Sequence, residues 1–496
     1  MVRDMSRTPV ALRSAETRGS VGWRLIPLAA ALVLTGCTSL GPDFKPPKSP
    51  TGRTAQAYAL EGERAPSGVH LVADLPASGP WWQAFGSPEL DATIRLALSN
   101  NPSIAEIQAR LEKAQAEGDA ADGARGPRLD ASGRLENQRF NSQAFGLSGF
   151  PNHTFSLYSV GAMARYDLDV FGGGRRSAED YRARAERAGH QADAAKLALT
   201  GNVALEAIKI ARLQAQIDAV KALVASDRSL VEMMRQAKAL GKEVQPSVNR
   251  AIFQMTLDED QLPGLERDIA ASRHRLAILA GQSPASWTPP TFSLASLKVP
   301  TDIPVSLPSD LVRHRPDILA AEADLHAATA AVGVSLANQY PDIQLTADLT
   351  QAALKPQTLF NYDGTGWTLL GNLTAPVLDS GVRKARTKGA QADLRAAGAR
   401  YQQTVLAAFG QVADLLSALK SDQTALMLVD RETLLAEGGV DQATTGQRLG
   451  SATRMNVIEA QRQVSLIQDT KATAESRRLS DMVSLYTATA ADWRGL

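Results

Sequence analysis

NPSIAEIQARLEKAQAEGDAADGARGPRLDASGRL, residues 101–135, is written a second time as RPDILAAEADLHAATAAVGVSLANQYPDIQLTADL, residues 315–349. At an offset of 214, Pro102, Ile104, Ala109, Leu111, Ala114, Pro127 and Leu135 meet Pro316, Ile318, Ala323, Leu325, Ala328, Pro341 and Leu349. Further on the offset falls to 209. Gly201-Asn202-Val203-Ala204 then meets Gly410-Gln411-Val412-Ala413, and Gly241, Val248, Ala251 and Gln254 meet Gly450, Val457, Ala460 and Gln463. The first half therefore carries five extra residues ahead of its long helix and otherwise keeps register. A period this long is no solenoid. It is a duplicated module, 81–285 and 309–496, divided by a proline-rich link at 286–308.

Both modules have the same parts. A helix (101–125; 315–338) precedes two strand-like segments (128–140 and 154–171; 342–354 and 365–378), a very long helix (175–239; 383–447) and a returning helix (246–281; 454–489). The long helices are patterned for coiled-coil contact: Ile210, Leu213, Ile217, Val220 and Val224 follow 3,4 spacing, as do Tyr181, Ala185, Ala188, Ala192, Ala195 and Leu199. Alanine at such positions lets helices approach closely. About 65 residues at 1.5 Å each make a rod of roughly 100 Å, and two shorter helices stacked end to end match that length.

The strand segments alternate. Ile343, Leu345, Ala347 and Leu349 share one side, with Asp342, Gln344, Thr346, Asp348 and Thr350 on the other. Tyr158, Val160, Ala162, Ala164, Tyr166, Leu168 and Val170 oppose Ser159, Gly161, Arg165, Asp167 and Asp169 in the same way. A half-buried soluble sheet and a transmembrane β-barrel both give this pattern. Phe140, Phe145, Phe150, Phe155, Phe360, Tyr362 and Trp367 gather near the hairpin loops, which suits an interfacial belt. Four strands cannot close a barrel, and an open edge in lipid is costly, so the barrel reading requires several copies of the chain. Two copies give eight strands around a filled interior; three give twelve, with room for a pore.

The N-terminus points to a membrane. Five arginines precede the apolar run Leu25–Leu34, about ten residues, too short to span a bilayer. Basic region, short apolar core and small residues make residues 1–36 a secretory signal peptide. Leu34-Thr35-Gly36-Cys37 resembles a bacterial lipobox, which implies a diacylglycerol and an N-acyl chain on Cys37, the only cysteine in the chain, and an extended acylated segment over 37–80. By resemblance to lipoproteins, Thr38 in place of Asp favours the outer membrane. Several acyl chains hold a protein stably where one does not. Residues 1–36 hold five of the 53 basic and two of the 52 acidic residues, leaving 48 and 50. That balance offers nothing to nucleic acid.

Taken together, CTSLGPDFKPP (37–47), WWQAFGSPELDATIRLALSNNPSI (81–104), LPSDLVRHRPDILAAEADLHAATAAVG (307–333), APVLDSGVRKA (375–385) and MNVIEAQRQV (455–464) resemble the TolC-type outer-membrane factors of tripartite efflux pumps. The branch is the NodT-like lipoproteins that serve RND transporters. The likeness covers essentially the whole mature chain. It implies a mostly α fold with a small β part, assembled as a homotrimer. Its twelve-stranded barrel in the outer membrane would continue into a twelve-helix barrel in the periplasm. It further implies a periplasmic adaptor at the helix tips, an inner-membrane RND transporter, passive export of small molecules, no cofactor and no catalysis.

In such proteins the periplasmic end is closed by inward-coiling helices and narrowed by acidic and apolar residues near the second tip. Here GSATRMNVIEAQ (450–461) has no Asp, and Ala452 and Thr453 stand where relatives often carry acids. Glu243, Asp441, Arg448 and Arg454 are the gate or adaptor-contact candidates, solvated helix charge being the other reading of each. Gly241 and Gly450 are the tip turns, and Gly172, Gly173, Gly174 and Gly381 the barrel-to-helix turns. The six histidines are scattered without metal-ligand spacing, and Gly172-Gly173-Gly174 lacks the Gly-Lys-Ser/Thr of a phosphate loop, which argues against an enzyme. A periplasmic adaptor would have one helical hairpin, not a duplicated module.

Overall fold

The computed structural model describes residues 39–48, 70–72, 80–146, 149, 151–300, 302–304 and 308–490. The leader, residues 1–36, and Cys37 lie outside them, as does Phe150. In chain order the elements are β1 (His70–Val72), α1 (Pro88–Asn100), α2 (Pro102–Gly123), β2 (Arg128–Phe140), β3 (His153–Leu168), α3 (Gly173–Ala239), α4 (Gln245–Glu259), α5 (Gln261–Leu279), β4 (Asp302–Pro304), α6 (Pro308–His314), α7 (Pro316–Ala337), β5 (Asp342–Ala353), β6 (Thr365–Thr374), α8 (Val382–Leu449) and α9 (Arg454–Thr489). Two compact units result, and both draw on the two repeats. One gathers Ala121–Ala178 and Ala330–Ala390 with the described residues up to Asp43; the other holds Phe44–Ala120, Glu179–Thr329 and Gln391–Leu496.

In the first unit β2, β3, β5 and β6 form one antiparallel sheet in that order. The sequence reading carried β3 to 171 and β6 to 378; both end sooner for local reasons. Asp169 turns its carboxylate onto the Gly174 and Arg175 N–H groups at 2.9 and 2.8 Å, capping α3 instead of extending the ladder. Thr374 pairs with Asp342, which follows Pro341, and Pro376 beyond it has no N–H to donate. Residues 39–43 strap onto this unit. Leu40 N–H donates to the Phe171 carbonyl (3.2 Å), and buried Arg176 donates to the Leu40 carbonyl (3.1 Å) and to Asp43 Oδ1 (2.6 Å).

The second unit is helical, with a core of Trp81, Trp82, Phe85, Ile94, Val203, Ile208, Ile210, Leu276, Leu479 and Met482 among others. Trp81 stacks on Tyr486 at 5.8 Å. Ile210, Leu213, Ile217, Val220 and Val224 are all buried, whereas Tyr181 at the head of the alanine series stands exposed. The helix expected at 101–125 is α2; the separate α1 ends just before it, and the Asn101 side chain between them accepts from the Ser103 N–H. Two departures from the sequence reading have clear causes. The returning helix of the first repeat breaks at Asp260. Pro263 has no N–H for the Glu259 carbonyl, while the repeat-equivalent Ala472 leaves α9 uninterrupted for 36 residues. The link 286–308 is packed: Phe292 and Leu297 join the core, Lys298 N–H donates to the Phe85 carbonyl (2.9 Å), and β4 pairs in parallel with β1.

The duplication extends to hydrogen bonds. Asn101 Nδ2 donates to the Leu279 carbonyl at 2.8 Å; the equivalent Arg315 donates from Nη1 to the Ala488 carbonyl at 3.0 Å and is held by Asp317. Gly281 and Ala490 then occupy matching left-handed positions, φ +67° and +48°. A methyl on Gly281 would lie 2.3 Å from the Asn100 carbonyl oxygen, whereas Gly450, φ +77°, faces open space. Gly450→Ala should therefore cost about 1 kcal/mol, the left-handed penalty alone, and Gly281→Ala distinctly more. Thermal denaturation of the purified protein in detergent checks that order, and equal losses of Tm would contradict it.

Candidate functional site

The sheet sorts its residues by face. Register sets Leu129, Ala164, Ala347 and Leu369 in one row, Ala131, Ala162, Leu349 and Trp367 in the next, and Leu168, Ile343 and Leu373 near one end. The strands run 13, 16, 12 and 10 residues, enough to cross hydrocarbon, which takes about 9–11. Nothing among the described residues covers this apolar face: Leu129 is 75% exposed, Leu369 74%, Trp367 71% and Leu373 65%. A soluble sheet would bury it. The opposite face carries Arg128, Asp130, Arg134, Arg165, Asp167, Asp348 and Asn372. Strands β2 and β6 are the two edges, with no ladder on their outer sides among the described residues.

Aromatic residues mark both ends of the strands. Phe360 and Tyr362 stand exposed at the loop end with Phe140 at its margin. Tyr166, 39% exposed, and the stacked pair Phe171–Tyr340 at 4.8 Å stand at the helix end. The sequence reading identified the first group and missed the second, whose members fall on either side of turns. At that end Gly172 and Gly381 take φ +76° and +84°; Gly173 and Gly174 do not share this conformation and lie in the first turn of α3.

The helix tips sit at Gly241 (φ +68°) and Gly450 (φ +77°). Lys242 N–H donates to the Ala237 carbonyl (2.9 Å) and Ser451 N–H to the Gly446 carbonyl (2.8 Å), the same closure in both repeats. The tips differ after the turn. Thr453 and Asn456 form a reciprocal capping box on α9, whereas Val244 gives α4 no side-chain cap. Of the four charged candidates, Asp441, Arg448 and Arg454 are exposed and Glu243 is half-buried. None of the four forms an ion pair among the described residues, and the structure does not bring them together.

The charges that do meet lie deeper. Arg462 of α9 donates from Nε to Asp227 Oδ1 of α3 and from Nη2 to Asp258 Oδ2 of α4, both at 2.7 Å, tying the second repeat to two helices of the first. Asp227 is 1% exposed. Burial pushes its carboxyl up to about 6 against the pull of Arg462. For Asp258 burial is outweighed by hydrogen bonds from Gln254 and Arg462, and its pKa falls below the ordinary range. Removing one member of such a pair costs about 3–5 kcal/mol.

A search for known relatives agrees with this anatomy. The family described as outer membrane efflux protein matches residues 93–282 and 307–491, one stretch in each repeat. The chain belongs to this family. The efflux protein is 28% identical over 474 residues to nodulation protein T of Rhizobium leguminosarum bv. viciae, covering 94% of this chain and 93% of that one. It is 29% identical over 482 residues to the pyoverdine export outer membrane protein OpmQ of Pseudomonas putida, covering 95% and 97%. Its fold is that of the outer-membrane channel OprN, TM-score 0.80 at 24% identity, over 92% of this chain and 100% of that one. The outer membrane protein VceC of Vibrio cholerae matches at TM-score 0.74 and 25% identity, over 84% and 99%. The protein is thus an outer-membrane efflux channel and no enzyme.

One further carboxyl of the efflux protein is out of balance. Asp422 of α8 is 4% exposed and its Oδ2 has no hydrogen-bond partner. Burial and the neighbouring Asp481 push its pKa up to about 7, against Arg477 and Arg478. The folded state therefore binds this proton more tightly than the unfolded state, and stability falls as pH rises from about 4 to about 7. Asp422→Asn should raise stability at pH 8 by at least about 1.4 kcal/mol, the worth of one pKa unit, and change little at pH 4.5. Urea melts at the two pH values measure the difference; a gain of equal size at both would refute the assignment.

Proposed function

We propose that three copies of the chain close a twelve-stranded barrel through their β2 and β6 edges and export small molecules passively. A periplasmic adaptor and an inner-membrane RND transporter deliver the cargo. The observation that carries the closure is the open sheet: two bare edges and an uncovered apolar face in a chain whose family belongs to the outer membrane. The long helices support it. Though α3 and α8 are repeat-equivalents, α8 leaves Leu406, Leu428, Leu434 and Leu435 exposed, a face suited to a neighbouring copy. The relatives are named for pyoverdine export, fusaric acid resistance and cation efflux, so efflux is common to them and cargo is not.

We infer two finer features. Cys37 bears the acyl chains: the strap at Leu40 and Asp43 sets Ser39, two residues after it, against Gly172, where the first hairpin meets α3, at the height where a lipid anchor meets the leaflet. The channel rests closed at the helix tips, and the Arg462 tie to Asp227 and Asp258 holds it there.

Native mass spectrometry of the detergent-purified protein should give the trimer, and a monomer at micromolar concentration would sink the assembly. Arg462→Leu should raise single-channel conductance in planar bilayers several-fold; a trimer of unchanged conductance would rule out the tie as a latch. Cys37→Ser should lose labelled palmitate, and its retention would overturn the lipid assignment.

A further inference from the structure

The polar face of the sheet is banded by charge. Arg128 stands directly opposite Arg165. In the next polar row toward the loop end Asp130 and Asp348 flank Met163. One row toward the helix end Asp167 faces Gln344. Rows of one face are two residues apart, about 6.6 Å, so acid, base and acid succeed one another along the strands. Like charges directly opposite in a sheet repel and destabilise it. Here the repulsion is left uncompensated: Arg128 makes a single 3.4 Å hydrogen bond to the Ala124 carbonyl, and neither arginine pairs with a carboxylate among the described residues. Of the nearby acids, Asp348 accepts from Thr350 (2.7 Å) and Asp167 from Gln344 (2.8 Å), while Asp130 in the adjacent row bonds to neither arginine among the described residues. Both guanidinium groups are exposed. Two adjacent, unpaired planar forks are suited to a carboxylate or phosphate, which each can grip through two N–H groups.

We propose that the Arg128–Arg165 pair is a specificity-determining rung of the export lumen that holds small polyanions, carboxylates or phosphates, as they pass. The proposal rests on the closed-barrel reading, in which the polar face lines the lumen. Three copies place six guanidinium groups at one level, near the end of the barrel that adjoins the helices. Charges act over about 10 Å at 0.1 M salt and about 3 Å at 1 M, so the rung draws anions at the lower salt, against the acid rows on either side of it, and fades at the higher.

The test uses the full-length protein in planar bilayers with citrate as the probe, added to each side in turn. Millimolar citrate in 0.1 M KCl should block the wild-type current, and the block should fall away in 1 M KCl. The double variant Arg128→Gln/Arg165→Gln should need at least about ten-fold more citrate; Arg128→Lys/Arg165→Lys, with charge but no fork, should lie between. Asp130→Asn/Asp348→Asn should tighten the block. Conducting pores that citrate does not block, or that it blocks equally in the glutamine variant, overturn the rung alone. Protein that inserts without conducting overturns the closed-barrel reading and the rung with it.

Discussion

An apolar sheet face that no described residue covers, ending in two strand edges unpaired among the described residues, is the condition on which everything else depends. In water the face would be buried, and in hydrocarbon the edges would have to be satisfied, because no solvent remains to receive their N–H and C=O groups. A single chain meets neither demand. Within the sheet the register is fixed by the alternation itself: a slip of one residue would turn Leu129, Leu349 and Leu369 toward the polar side and bring Asp130, Asp348 and Thr368 into the apolar band.

The helical unit is held by a different device. Long rods packed through alanine come close but gain little per residue, and the concentrated core lies where Trp81, Trp82 and Phe85 meet Tyr486 and α9. Arg315 belongs to that level. Its guanidinium is fixed by Asp317 and spans to Gln411 and the Ala488 carbonyl, joining three helices of the second repeat, which gives the Arg-Pro-Asp sequence a structural reason. Toward the tips apolar contact thins, and ion pairs such as Arg462 with Asp227 and Asp258 take over.

Much of this was legible in the sequence because duplication and alternation are patterns many residues long. The strands, the long rods and the tip glycines follow from them. What escaped depended on single side chains. Asp169 ends a strand by capping a helix, and Pro263 interrupts a helix whose pattern runs on unchanged. The charged tip residues were chosen by nearness to the turns, and among the described residues none of them forms an ion pair. The residues that do tie the helices stand inside the apolar stripes: Asp227 continues the series Val220, Val224 to Val231, and Asp422 lies between Leu419 and Leu426. A carboxylate at a position of a heptad that should be apolar was the available signal. The exposed leucines of α8 were visible as residues, but only the structure separates them from the covered ones of α3.

The interruption at Asp260 bears on symmetry. The two repeats match in length, yet one returns from its tip as two rods joined at Asp260 and the other as a single unbroken rod. A ring of three such chains is pseudo-sixfold in outline and only threefold in compliance, with three softer staves alternating with three stiff ones.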